Sequence, residues 1–182
     1  MLKQFIEALI KVGGQVAEVK DVREAAAYIT EQVDGSVLLP PQPSLERAGL
    51  GKALEANGMI VIRDSWREHA PLAAAGVTGA NFALADTGSL VLDSTAEALR
   101  LATTLPEKHV ALLDPAKILA DSLEAIPYLR GFHERAPRNY LAYITGPSRT
   151  ADIERVLTIG VHGPRQLHVL LLPGLSTDFY EN

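Results

Sequence analysis

The sequence predicts an α/β domain of three layers, with a mostly parallel central sheet flanked by helices and a β-hairpin near residues 82–93. Three observations carry that expectation. Short, continuously apolar runs alternate with amphipathic stretches of helical period, and strands without a polar face are those buried on both sides in parallel sheets. Glycine, proline and Asp or Asn punctuate the runs at the spacing of alternating helices and strands. Third, Phe82-Ala83-Leu84-Ala85 and Ser89-Leu90-Val91-Leu92 flank Asp86-Thr87-Gly88, which reads as a tight turn between two strands.

The elements follow in order. Leu2 to Ile10 places Phe5, Ile6, Leu9 and Ile10 on one helical face, and Gly13-Gly14 stops it. A short strand is expected around Ala17 to Val19. Asp21 with Glu24 three residues on forms a capping box that opens a helix through Val33. Ser36 to Leu39 is a β run closed by Pro40-Pro41, and Pro43 keeps the next residues a connector. Ser44 and Leu45 lead an amphipathic helix ending at Asn57-Gly58, before the apolar strand Met59 to Ile62. His109 to Leu113 is another strand, and Asp114-Pro115 pairs a cap with a proline at the first helical position. Leu141 to Thr145 and Leu167 to Leu172 complete the series of apolar strands.

The chain has 182 residues, 47% hydrophobic and 21% charged, which fits one globular domain over 1–182, with a helical part at 1–34 and a core at 35–175. It contains no cysteine, so disulfides, thiolate nucleophiles and Cys-held zinc or iron–sulfur clusters are excluded, and any cluster must sit in a partner. Lys3, Glu7 and Lys11 interrupt the first residues, and no window reaches the roughly 18 apolar residues of a bilayer span, so a cytoplasmic location without membrane insertion is expected. Seventeen basic against 22 acidic residues give a net charge of −5 with the basic ones scattered, which makes nucleic acid a poor partner.

Two polar stretches stand out. From Gly76 to Leu92, glycines, hydroxyls and a carboxylate crowd together, with Thr78, Gly79, Asp86, Thr87, Gly88 and Ser89 as candidate ligand-binding residues. A tight turn in which Asp86 caps its own loop is the competing reading. Asp86-Thr87-Gly88-Ser89 also spells the aspartic-protease signature, but that chemistry needs two such aspartates in a nearly all-β fold, and there is one copy here amid α/β periodicity.

The second stretch runs from Tyr143 to Glu154. Gly146 and Pro147 stop a strand, and Ser148 or Thr150 is placed to cap a helix beginning near Ala151. A helix start beyond a parallel strand is a natural anion site, to which Arg149 adds a bidentate donor. An ordinary salt bridge from Arg149 to Asp152 or Glu154 explains the same residues equally well. Gly160 to Arg165 reads as a compact loop in which His162, beside Gly163, is a candidate for hydrogen bonding or acid–base work. The histidines lack a His-x-x-x-His spacing, and no metal site is expected. Gly49-Leu50-Gly51-Lys52 lacks the spacing and the Ser or Thr of a phosphate loop.

Gly-Val-Thr-Gly-Ala at 76–80, Ala-Asp-Thr-Gly-Ser at 85–89, Gly-Pro-Ser-Arg-Thr-Ala-Asp-Ile-Glu at 146–154 and Gly-Val-His-Gly-Pro at 160–164 together resemble the LutC/YkgG lactate-utilisation (LUD domain) family, over roughly residues 35–172. The resemblance implies a NagB/RpiA/CoA-transferase-like fold and a role beside two iron–sulfur proteins in oxidising L-lactate to pyruvate, with a small anionic ligand and without a cofactor of its own. The N-terminal region is shorter than in many relatives, which bears on partner docking. The resemblance does not fix a reaction. Asp86, Glu154 and His162 are the candidate catalytic groups, and a free-standing transferase- or isomerase-like enzyme and a non-catalytic scaffold stay open beside the lactate-utilisation subunit.

Overall fold

The computed structural model describes residues 1–136, 138–152, 156–160 and 162–182. Helix α1 (Leu2–Lys11) buries Phe5 and Leu9 and leads through Gly13 and Gly14 into β1 (Gln15–Glu18). Asp21 then caps α2 (Val22–Gln32): its carboxylate accepts from the Arg23 and Glu24 amides, while Glu24 reaches back to the Lys20 amide at 2.7 Å. β2 (Ser36–Leu38) follows. The expected helix from Ser44 to Asn57 is two helices, α3 (Pro43–Ala48) and α4 (Leu50–Ala56), because Gly49 takes φ +74° and turns the chain between them. β3 (Ile60–Ile62), the single turn α5 (Trp66–His69) and β4 (Ala75–Gly79) come next.

The predicted hairpin is present, with β5 (Phe82–Leu84) antiparallel to β6 (Ser89–Asp93) and Gly88 at φ +66° in the turn. After α6 (Glu97–Thr104) and β7 (Lys108–Leu113), Asp114-Pro115 opens only a 3-10 turn, Pro115–Lys117. The Asp114 cap is real, with its carboxylate accepting from the Ala116 amide, but β8 (Ile118–Leu119) is drawn into pairing with β5 and ends the turn. The long helix α7 (Ser122–Arg135) starts one cap later, at Asp121. β9 (Leu141–Ile144), β10 (Arg149–Asp152), β11 (Val156–Ile159) and β12 (Gln166–Leu171) finish the chain's regular structure.

Six strands form the central sheet in the order β1-β12-β7-β4-β2-β3, every pair parallel. One face is covered by α2 and α4, whose Ala25, Ile29, Leu50 and Leu54 pack on Val37, Val77, Val110, Leu112 and Leu170. The other carries α1 and the hairpin, where Phe5, Leu9, Leu90 and Leu92 meet Ala111, Leu113, Val169 and Leu171. The buried apolar runs that identified the strands are these two interleaved sets.

Two expectations about the sheet are corrected. Leu141 to Thr145 is not a central parallel strand; β9 lies antiparallel to β6 at the end of a separate sheet ordered β8-β5-β6-β9, with Tyr143 exposed. The stretch Gly76 to Gly79, expected to offer ligand-binding residues, is regular buried strand. It is the interior of β4, where Gly76 lets the sheet approach α6 so closely that a Cβ would stand 1.8 Å from the Ala102 carbonyl oxygen.

Candidate functional site at the carboxyl rim of the sheet

From β2 the chain moves outward to β3, whereas from β4 it moves the other way to β7. Where the outgoing connections of neighbouring parallel strands diverge, a crevice opens beyond their carboxyl ends, and open α/β sheets take their ligands there. Here the divergence falls between β2 and β4. The crevice is filled by the chain itself. Gln42 is buried and bonds both main-chain groups of Gly79, its Oε1 accepting from the amide at 2.8 Å and its Nε2 donating to the carbonyl at 3.3 Å. A Cβ on Gly79 would stand 3.1 Å from the carbonyl carbon of Asn182, so the segment 173–182 crosses this rim in close contact with β4.

That segment is fastened at several points. The buried Lys117 ammonium donates to the Glu181 carbonyl at 3.0 Å and more weakly to that of Asp178 at 3.4 Å. Burial pushes the Lys117 pKa down to about 8, against the pull of Asp114, Glu181 and Asp178. Asn81 bridges two segments, donating to the Phe179 carbonyl at 3.1 Å and accepting from the Asp93 amide at 2.6 Å. Phe179 stacks on Tyr128 with ring centroids 4.0 Å apart, and the Arg135 guanidinium lies 3.6 Å over the Tyr180 ring.

One strand further out, between the ends of β2 and β3, a cleft of about 380 Å³ stays open. Leu39, Pro40, Pro41 and Leu45 form its apolar side, and Arg47 from α3, Lys52 from α4 and Arg63 just beyond β3 line it with positive charge, beside Glu46. Arg47 forks onto both carboxylate oxygens of Glu181, which holds that carboxyl down to about 2, and Ser176 Oγ adds a bond at 2.7 Å. Arg63 bonds Glu55 at 2.5 Å and lowers its pKa. Among the described residues Lys52 takes part in no ion pair.

The residues singled out in the sequence lie elsewhere and do not converge. Thr78 and Gly79 are buried in β4, where Thr78 Oγ1 pairs with His109 Nε2 at 2.9 Å and burial depresses the His109 pKa to about 4. Asp86 and Thr87 are exposed on the hairpin turn, whose Gly88 sits against α1, with a Cβ there only 2.4 Å from the Leu9 amide nitrogen. Ser89 Oγ joins Thr87 and Thr145 hydroxyls at 2.8 and 2.7 Å.

Among the described residues no helix starts near Ala151. Arg149, Thr150 and Asp152 belong to β10, which pairs antiparallel with β11, so the expected helix dipole is absent from that stretch. Gly146 and Pro147 lead to this hairpin at the amino end of β1, and Arg149 donates to the Val12 carbonyl. Ser148 bonds Pro164 through its amide, and His162 and Gly163 line a wider cleft with Leu72, Leu105 and Arg165 at the amino-terminal edge of the sheet. Glu154 falls outside the described residues. Gln42, Arg47, Lys52, Arg63, Asn81 and Lys117 escaped the sequence reading; the one available signal was the Pro40-Pro41 connector at the end of a parallel strand. Among the described residues no group of three or more His, Asp or Glu stands together as a metal site, and no helix is long and apolar enough to cross a membrane.

A parallel three-layer α/β domain with a cationic cleft at the carboxyl rim of its sheet is the class these features define. Comparison with known proteins places it further: the LUD domain family model matches residues 2–172, and the chain belongs to that family. It is similar to the protein described as "Lactate utilization protein C" of Deinococcus radiodurans, 36% identical over 177 residues, covering 94% of this chain and 79% of that one. Its likeness to "Uncharacterized protein YkgG" of Escherichia coli (strain K12) is 32% over 164 residues, covering 86% and 71%. For "Lactate utilization protein C" of Bacillus subtilis (strain 168) it is 29% over 150 residues, 76% of this chain and 62% of that one. The solved structure of a DUF162 family protein from Deinococcus radiodurans shares the fold, with a TM-score of 0.66 at 22% identity, covering 94% of this chain and 95% of that one.

Proposed function

We propose that this chain serves the oxidation of L-lactate to pyruvate in the cytoplasm, as the component that holds a small anion while iron–sulfur partner proteins carry the electrons. The observation that carries the anion-binding part is the convergence of Arg47, Lys52 and Arg63, from three separate elements, on one cleft at the carboxyl rim. Membership of the LUD family and relatives named lactate utilization protein C support the pathway assignment. With no cysteine among 182 residues, the chain supplies no thiolate to a cluster, so the clusters belong to the partners.

The test has two arms. Affinity purification of the tagged chain from lactate-grown cells is expected to bring down cysteine-rich, iron-containing proteins, and deleting the gene is expected to impair growth on L-lactate while sparing growth on glucose. Equal growth of the deletion strain on both carbon sources removes the lactate assignment.

A further inference from the structure

The open cleft at the ends of β2 and β3 is larger and more highly charged than a three-carbon acid requires. At about 380 Å³ it falls in the range of roughly 300–1,000 Å³ typical of sites for cofactor-sized ligands. A lone carboxylate satisfies one guanidinium fork; here Arg47, Lys52 and Arg63 all line the same space, Arg47 forked onto Glu181 and Arg63 bonded to Glu55. Opposite them, Leu39, Pro40 and Pro41 offer an apolar wall with no charge to satisfy.

The local backbone is shaped to bring these cations inward. Gly49 turns the chain at φ +74° between α3 and α4, so that Arg47 and Lys52 come from two differently directed helices. At Gly51 a Cβ would lie 2.4 Å from an Arg63 guanidinium nitrogen and 3.2 Å from Leu39 Cδ2, so Arg63 lies directly against α4 beside the apolar wall. The Arg63–Glu55 pair is half exposed on both sides, and exposed pairs of that kind exchange partners at little cost.

We infer that this cleft binds an organic phosphate, with the phosphate oxygens on Lys52 and Arg63 and the apolar part of the ligand against Leu39, Pro40 and Pro41, while Arg47 stays forked onto Glu181 at its edge. A phosphate monoester carries close to two negative charges at neutral pH and three acceptor oxygens, which is the complement of the Arg63 fork and the Lys52 point charge. The inference rests on the reading of the carboxyl rim as an anion site and narrows it to a ligand class.

Isothermal titration of the full chain at fixed ionic strength, with L-lactate, inorganic phosphate and phenyl phosphate as probes, tests it. Phenyl phosphate is expected to bind at least tenfold more tightly than L-lactate and several-fold more tightly than inorganic phosphate. Lys52→Ala and Arg63→Ala should each weaken phenyl phosphate about tenfold, Arg130→Ala on α7 should leave it unchanged, and Glu55→Gln, which releases Arg63, should tighten it. If L-lactate binds as tightly as phenyl phosphate and is weakened by the same two variants, the anion site stands and the phosphate class is wrong. If phenyl phosphate gains nothing over inorganic phosphate, the apolar wall is not part of the site and the inference fails. If no probe responds to Lys52→Ala or Arg63→Ala, both the inference and the anion site fall.

Discussion

The buried amide of Gln42 closes a two-way pair with the backbone of Gly79, joining the segment after β2 to the last residue of β4 at the point where the sheet's connections diverge. Gln42 and Gly79 are both buried, so removing the amide leaves the two Gly79 groups without that partner. Gln42→Leu keeps the volume and removes both bonds. Leaving a buried donor or acceptor unsatisfied costs about 1–3 kcal/mol, so a loss of that order is expected in urea unfolding, as a lower midpoint with an unchanged slope. An unchanged midpoint would mean that the pair contributes nothing to the rim.

Glycines of this chain separate two kinds of strain. At Gly76 a Cβ would meet the Ala102 carbonyl oxygen at 1.8 Å, a backbone contact between β4 and α6 that no side-chain rotation relieves. At Gly49 there is open space, and only the φ of +74° opposes an alanine. Gly49→Ala is therefore expected to cost about 1–2 kcal/mol, the left-handed penalty, and Gly76→Ala about 3 kcal/mol or more through overpacking. Thermal unfolding of the two variants side by side checks the order, and the reverse order would contradict the packing of α6 on β4.

What the sequence made legible was whatever local pattern decides. The parallel strands announced themselves as apolar runs because both faces of the sheet are covered, and the hairpin did so through Asp86-Thr87-Gly88, where Gly88 alone adopts positive φ without strain. Ser148 and Thr150 look like helix caps, yet the Arg149–Asp152 stretch is paired across to Val156–Ile159; the β-branched Val156, Thr158 and Ile159 were the contrary signal, and pairing outweighed capping. The glycines of 76–79 suggested ligand contact, while Gly76 answers to the approach of α6 and Gly79 to the passage of Asn182. Arg47, Lys52 and Arg63 form no motif, since tertiary packing alone brings three elements together. Gly49-Leu50-Gly51-Lys52 is not a phosphate loop by spacing, and three of its four residues nonetheless line the cleft.

Arg149 donates to the Val12 carbonyl and lies near Gly13, so it ties the β9–β10 connection to the entry of β1. Removing one exposed charge-assisted bond of this kind should lower stability by about 1 kcal/mol. Arg149→Ala is accordingly expected to melt slightly earlier than wild type and to bind phenyl phosphate as wild type does. Loss of that binding with an unchanged melting temperature would return the anion site to the 146–150 loop.

Glu181 supplies an acid-side test of the rim. Arg47 holds its carboxyl near 2, below the ordinary value of 4.5, so the folded state resists protonating it. A depressed folded pKa contributes stability that is complete above the unfolded value and disappears as pH falls through the folded one. The stability difference between wild type and Glu181→Gln should therefore shrink as pH is lowered from 4.5 towards 2. A difference that stays constant over that window would show that the carboxylate is not held by Arg47 in solution.

Lys117 supplies the test on the alkaline side. Its amine ordinarily titrates at 10.5, and burial brings that down to about 8 in the folded protein, despite the nearby carboxylates and the carbonyls of Asp178 and Glu181. Between those two values the unfolded chain binds more protons than the folded one. Stability then rises with pH. The buried charge is a cost at neutral pH, relieved as the folded amine gives up its proton, by an amount on the order of 3 kcal/mol across the full shift. Tyrosines and other lysines titrate in the same range, so the quantity to follow is the difference from Lys117→Met, which keeps the length of the side chain and removes the titration. Wild type should gain on that variant steadily from pH 8 to 10.5 in urea unfolding. A gap that instead narrows as pH rises would mean that the ammonium form is what fastens the 173–182 segment, and that its bonds to the two carbonyls outweigh the burial.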